Sequence, residues 1–341
     1  MESSLRTDAA RRERRRGRLL PLALLLLGAM VLLAVLVASG CGSESDTSGG
    51  GTTATDTTIE VGAPDTQQAS ITVTSDPKLY AMLPDSVKSS GKMKVACNVP
   101  YPPWEYYEEA GSDVFVGIEP DLGEALGAKL GIELVFAQTP FNGIIPAMKA
   151  GKADLGISCF YDTATRQKVV DCVDYAADGS AILVLKGNPD GIKGLNDLSG
   201  KVVSVQKATT QFDFLEKLNV EFAKAGKAPV KILALPADTD AQLAIKSGKA
   251  VAEMTDGPGG AYVAKTSGGG NVFEAVADPD YPNGYDPSII AILMDKDSGT
   301  QADAFQQALQ QLVDDGTMLQ ILKLYGAQQC LIDPITINLG K

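Results

Sequence analysis

From Lys92 onward, short apolar runs rich in β-branched residues alternate with longer stretches whose apolar positions recur at helical spacing. The runs predict strands over 94–99, 132–137, 153–158, 181–186, 201–206, 230–235, 250–255 and 289–294. The amphipathic stretches predict helices over 119–131, 141–152, 209–226, 238–249, 257–268, 299–316 and 317–326. Such alternation is that of βαβ units and a mostly parallel sheet, so the expected fold class is α/β. A strand, helix, strand, helix, strand series runs from Lys94 to Ser158 and again from Lys201 to Thr255, with 186–200 between them. Two α/β lobes are expected.

The first 91 residues follow other rules. Seven arginines between Arg6 and Arg18 precede an apolar run over 19–38, which closes on Ser39, Gly40 and Cys41. This is the layout of an export signal, expected to occupy 1–40, although the run is also long enough for an uncleaved span. Ala38-Ser39-Gly40-Cys41 resembles the lipobox of bacterial lipoproteins, with alanine where leucine is more usual. Acylation of Cys41 would give firm membrane attachment, since a single chain binds only marginally. Residues 41–91 are expected to be the acylated cysteine and a disordered tether, because 42–70 offers almost no apolar bulk.

Charge and composition then narrow the function classes. The chain of 341 residues carries a net charge of −12; without residues 1–40 it keeps 23 basic and 39 acidic residues, or −16. Nucleic acid and anionic lipid surfaces are poor partners for such a chain. There is no histidine, which removes Ser-His-Asp and Cys-His devices and the commonest metal ligand. Cys97, Cys159, Cys172 and Cys330 lack zinc-site spacing; in an oxidising location they allow up to two disulfides, of unspecified pairing. No metal and no cofactor is expected.

Open α/β sheets bind ligands beyond the carboxyl ends of their strands, so the residues after each strand are the ones to inspect. Tyr101 and Trp104 follow the first strand; Cys159, Phe160, Tyr161 and then Arg166 follow the third. Thr209 and Thr210 open the helix after 201–206, and Asp256 follows 250–255. Arg166 is the only arginine after Arg18, and it falls at the start of a predicted short helix, where the macrodipole disfavours a cation. A guanidinium offers a rigid pair of parallel donors matched to a carboxylate, which lysine lacks. The amino end of the helix at Thr209 and Thr210 would hold the same anion, Asp256 an ammonium group, and Tyr101, Trp104, Phe160 and Tyr161 the rest of the ligand. An α-amino acid has this arrangement of charges. Each residue also has a plainer role available: a surface ion pair for Arg166, an N-cap for Thr209 and Thr210, a turn for Asp256, core packing for Trp104 and Phe160. Their convergence favours the ligand.

Residues 99–131, with Tyr101-Pro102-Pro103-Trp104, then 140–158 and the run from Arg166 to Asp174, resemble the family 3 extracellular solute-binding proteins, which deliver polar amino acids to ABC transporters. The resemblance covers about Lys92 to Gly326. It implies two lobes joined by two crossover strands, near 181–187 and 284–291, that close on the ligand like a hinge. Lobe 1 would comprise 92–184 and 287–330, lobe 2 would comprise 185–286, and 331–341 would be a tail. Arg166 matches the arginine that grips the α-carboxylate, Thr209 and Thr210 the residues that share it, Asp256 the acceptor of the α-amino group, and Trp104 the aromatic packed on the ligand. Members typically carry glycine at the positions of Cys159 and Ala208, threonine at Tyr161, and Thr-Pro-Glu where Thr163-Ala164-Thr165 stands. The bulkier floor makes an aromatic or apolar amino acid more plausible than glutamate or arginine.

The expected function is therefore a non-enzymatic, monomeric lipoprotein on the extracytoplasmic face of the cell membrane, feeding an amino acid to ABC permease subunits. A sensor reporting to a membrane partner is one alternative. A dehydratase-like enzyme on the same fold is another, with Glu105 and Glu119 the nearby candidates for a general acid.

Overall fold

A computed structural model describes residues 53–296 and 298–341. The arginine-rich start, the apolar run 19–38 and Cys41 lie outside the described residues. Among the described residues no helix is long and apolar enough to cross a membrane. The chain begins with β1 (Asp56–Val61), β2 (Ala69–Thr74), α1 (Pro77–Met82) and α2 (Asp85–Ser90). It continues through β3 (Lys92–Cys97), β4 (Tyr106–Tyr107), β5 (Phe115–Val116), α3 (Ile118–Leu130), β6 (Glu133–Gln138), α4 (Ile144–Lys149), β7 (Leu155–Tyr161) and β8 (Val170–Leu185). Next come β9 (Val202–Gln206), α5 (Thr210–Lys224), β10 (Lys231–Leu235), α6 (Asp238–Lys246), β11 (Ala252–Asp256), α7 (Gly257–Thr266) and β12 (Phe273–Ala275). The last elements are β13 (Tyr285–Asp295), α8 (Thr300–Asp314) and α9 (Thr317–Leu324).

The main sheet runs β10-β9-β11-β8-β13-β7-β3-β6, with β12 added on β8. At its two ends the pairings are parallel, β10 with β9 and β9 with β11 on one side, β7 with β3 and β3 with β6 on the other. In the middle, β8 and β13 run antiparallel to one another and join the two groups. Ser180 marks the hand-over, pairing with Tyr285 of β13 and with Asp256 of β11. Two lobes thus share one pair of long strands, and this hand-over falls one residue before the expected 181–187 crossing. Each lobe has its own core: Leu122, Leu126, Phe305 and Leu309 pack in the first, Ile182, Val203, Leu215 and Met254 in the second.

Local sequence accounts for most of this. All seven residues of β7 are buried, which is why its apolar run is continuous rather than alternating. In α8 the buried Phe305, Ala308, Leu309 and Leu312 form one stripe facing α3 and α1. Gly117, at φ +131°, opens α3; a Cβ there would lie 2.4 Å from the Trp104 carbonyl oxygen, so only glycine fits.

Two expectations are corrected. Residues 56–91 are not a tether: β1 and β2 form a hairpin, and Ile59, Val61, Ile71 and Val73 join the core of lobe 1, as does Leu79 of α1. Alternate apolar residues in each strand bury one face and leave threonines and serines outside. Residues 331–341 are not a free tail either. Leu331 and Ile337 bridge to Ala176 and Val173 of β8, and Thr336 donates to Asp174 at 2.6 Å. Cys97, Cys159, Cys172 and Cys330, whose pairing the sequence leaves open, are all free and buried, packing as small apolar core residues.

Candidate functional site

The ends of β3 and β7 in lobe 1 and of β9 and β11 in lobe 2 meet. Gln206 Nε2 donates to Asn98 Oδ1 across the gap at 2.9 Å, and Arg166 Nη2 reaches the Ala208 carbonyl at 3.4 Å. Between them lies a cavity of about 20 Å³. Tyr101, Tyr161, Arg166, Thr209 and Thr210 line it, together with Asn98, Phe141 and Gln206.

Arg166 begins a short 3-10 turn, Arg166–Lys168, with four residues between it and the end of β7. Its Nη1 donates to the Tyr161 carbonyl at 2.7 Å. The guanidinium lies 4.9 Å from the centroid of Phe160 and 5.8 Å from that of Phe141, two rings stacked at 4.4 Å. Among the described residues no carboxylate lies within ion-pairing distance of it. Burial draws its pKa below the ordinary arginine value, yet the group stays cationic. A half-buried guanidinium held by two carbonyls and two rings keeps donors available for an anion. Phe160 does not line the cavity; it is the floor under the cation.

Across from it, Thr209 is the N-cap of α5. Its hydroxyl accepts from Phe212 N at 3.2 Å and donates to the Gln206 carbonyl at 2.7 Å, so it orients the helix end while the amino end of α5 lines the cavity. Ala208, just before it, has φ +65°, and Cys159 on the facing wall has φ +46°. Both stand where the family resemblance places glycine, and the left-handed backbone is the physical reason for that preference.

Asp256 is fully buried and caps α7, its Oδ1 accepting from Gly259 N and from Trp104 Nε1, each at 2.9 Å. The Tyr101 hydroxyl donates to its Oδ2. Trp104 is fully buried too, edge-on to Tyr175, and touches the carboxylate rather than the cavity. Tyr161 donates its hydroxyl to Asp178, which is buried next to Asp256 and the start of α7 at Gly257. Burial, and next the nearby Asp256, push the Asp178 pKa well above the usual carboxylate range.

Two further carboxyl pairs lie behind these walls. Glu105 accepts from Ser158 Oγ at 2.5 Å; Glu119 accepts from Cys159 N at 2.6 Å and Tyr175 Oη at 2.5 Å. Burial, and next Glu119, hold Glu105 well above its ordinary pKa, and burial likewise raises Glu119. In lobe 2 Glu253 is fully buried, and the one group facing its carboxyl closely is another carboxyl, that of Asp238. Burial, then Asp238, raise its pKa well above the usual range.

Strand-end reasoning pointed at Arg166, Thr209, Thr210, Tyr101 and Tyr161, and the structure brings these five together. It places Asp256, Trp104 and Phe160 one layer behind. Asn98 and Gln206 were overlooked although both stand at strand ends, where the same rule applies. Asp178 gave no local signal, being an acidic residue inside a long strand.

Two α/β lobes on paired crossover strands, with a guanidinium that has no ion-pair partner among the described residues and a buried carboxylate at their junction, define a two-lobed solute-binding protein. Residues 93–328 match bacterial extracellular solute-binding proteins, family 3, and the chain belongs to that family. It is 29% identical over 263 residues to the arginine-binding protein ArgT of Corynebacterium glutamicum, covering 77% of this chain and 83% of that one. An amino acid ABC transporter substrate-binding protein, AbpA, from Streptococcus pneumoniae, bound to L-arginine, has a TM-score of 0.61 at 25% identity, over 72% of this chain and 99% of that one. The ancestral amino acid-binding protein AncCDT-1, a precursor of cyclohexadienyl dehydratase, has a TM-score of 0.60 at 29% identity, over 71% and 97%.

Proposed function

We propose that this chain captures an α-amino acid between its lobes and delivers it to an ABC import permease, without catalysing a reaction. The observation that carries the reading is Arg166: a guanidinium with no carboxylate partner among the described residues, stacked on Phe160 and aimed, with the amino end of α5, into the cavity. The α-carboxylate would take its free donors. Asp256, with Asp178 beside it, would take the α-ammonium.

An amino acid needs far more room than about 20 Å³, which suits about one water molecule. Binding therefore requires the lobes to part and Tyr101 to yield its place on Asp256. Around the cavity the amides of Asn98 and Gln206 offer a polar lining, while Phe160 is committed to Arg166 and the Tyr161 hydroxyl to Asp178. This favours a polar side chain over the aromatic or apolar one expected from the bulkier floor that Cys159 and Tyr161 imply. Glu105 and Glu119, the candidate general acids, are buried behind the cavity wall and bonded to Ser158, Cys159 and Tyr175, which favours a binder over an enzyme. From the sequence, Cys41 would be acylated, holding a monomeric domain on the outer face of the membrane. Calorimetry with L-arginine, L-glutamine and L-phenylalanine tests the reading: a polar amino acid should bind tightly and remain chemically unchanged, and binding of none of the common amino acids would defeat it.

A further inference from the structure

The hairpin of β1 and β2 precedes the family's matched region, which starts at residue 93. It belongs physically to lobe 1, through Ile59, Val61, Ile71 and Val73 in that core and through Gly62 N, which donates to Asp121 of α3 at 2.7 Å. Its connecting loop is stiff: Ala63 N donates to Thr66 Oγ1 at 2.8 Å, and a Cβ on Gly62 would meet the Gln67 carbonyl at 2.2 Å. The loop carries Asp65 to the place where the lobes face each other. There one carboxylate oxygen accepts from Tyr106 of lobe 1 at 2.8 Å and the other from Tyr262, on α7 of lobe 2. The Tyr106 and Tyr262 rings are in contact, 5.6 Å between centroids.

We propose that Asp65 is an affinity-determining residue of the solute site, a strap that bridges the lobes only when they are closed and so sets the closed population. The inference rests on the binding reading above for its effect on ligand. Its effect on closure stands alone. Asp65 and Tyr106 move with lobe 1 whatever the hinge does, whereas Tyr262 moves with lobe 2, so the Asp65–Tyr262 bond belongs to the closed form alone. An interaction present in one of two conformers shifts the population toward it, and a ligand needing that conformer gains apparent affinity by the same factor. Tyr262 also sits on the helix capped by Asp256, so the strap and the proposed ammonium acceptor act on the same helix. The bond is charge-assisted, and the exposure of Asp65 dilutes it, giving an expected factor of roughly 3–10.

The test uses the full chain and two substitutions, Asp65→Ala and Tyr262→Phe, the second keeping the ring contact while removing the hydroxyl. Trp104, the only tryptophan, is fully buried and bonded to Asp256 across the junction, so its quenching by acrylamide reports opening. Both variants should raise Trp104 quenching without added amino acid, keep the parent's thermal midpoint within a few degrees, and weaken L-arginine binding by roughly 3–10-fold. Unchanged quenching in both overturns the strap, as does unchanged affinity for L-arginine where the parent binds it. If the parent binds no amino acid, the solute-binding reading fails and quenching alone decides the role of Asp65.

Discussion

Replacing Asp256 by asparagine separates its structural work from its proposed work on the ligand. Asn keeps an oxygen where Oδ1 accepts from Trp104 Nε1 and Gly259 N, both at 2.9 Å, and presents an NH₂ to the Tyr101 hydroxyl, which can reverse and accept. Cap and inter-lobe contacts survive as neutral hydrogen bonds, so the loss of fold stability should stay near ~1 kcal/mol. Binding is different. At a fully buried position no water replaces the lost charge, and a ligand ammonium facing an amide there should cost ~3–5 kcal/mol, or about two to three and a half decades in Kd. Asp178 limits the effect. Asp256 is the second cause of its raised pKa, after burial, so removing that neighbour lets Asp178 ionise more readily and take part of the ammonium. The double variant Asp256→Asn/Asp178→Asn should therefore lose more than the single. The assay is calorimetry with whichever amino acid binds the parent and with the same acid lacking its α-amino group, alongside thermal unfolding. Equal losses for the two ligands would remove Asp256 from the amine site, whatever the unfolding curve shows.

Arg166→Lys should lose ~1.5–3 kcal/mol of binding and leave the unfolding midpoint almost unchanged, because a point charge replaces a planar fork stacked on Phe160; affinity within twofold of the parent would refute the carboxylate role. Stability should fall between pH 5 and 8: burial raises Asp121 and Asp238 to about 6 and Asp174 to about 7, so their contribution is full below the ordinary carboxylate range and lost as pH rises through these values. Asp171 and Asp76 are shifted downward and weaken the fold only in acid below that range, so a midpoint that is flat or rises toward pH 8 would contradict the buried-acid account. Glu253→Gln should flatten the fall and raise stability at pH 8, since it removes a carboxyl that burial and the neighbouring Asp238 hold well above its ordinary pKa. Deleting residues 1–52 should leave thermal stability untouched while deleting 1–75 lowers it, because only the second removes Ile59, Val61, Ile71 and Val73 from the core.

Where the sequence was readable, it was readable for reasons of period and length. The eight strands and seven helices expected between residues 92 and 326 carry apolar runs or stripes long enough to bury a face on their own, and the structure places them within a few residues of expectation, apart from the early start of β8; the two- and three-residue strands β4, β5 and β12 are too short to leave such a signal. The hairpin was hidden by composition: threonine, serine, aspartate and glutamate fill the exposed positions of β1 and β2, and only two buried apolar side chains per strand remain to betray a period of two. The first half of β8 was hidden by its partners. Asp171, Asp174 and Asp178 read as loop residues until Lys296, Asn338, Thr336 and Tyr161 are seen to receive them, and most of those partners lie more than a hundred positions away.

The site was half legible for a related reason. Arg166 stood out because one arginine among lysines, placed against the local helix dipole, breaks a rule that only a distant partner can justify. Asp256 and Trp104 were each assigned to the ligand, and nothing local shows that they bond one another across 152 positions. That bond changes the energetics of the site. A carboxylate already held by an indole and a phenol when the lobes meet gives the closed form internal partners, so an incoming ammonium competes with Tyr101 rather than filling an empty socket. Affinity then depends on the difference between two satisfied states. Small contributions to closure from outside the cavity, such as the bridge from Asp65 to Tyr262, are large enough to matter against that difference.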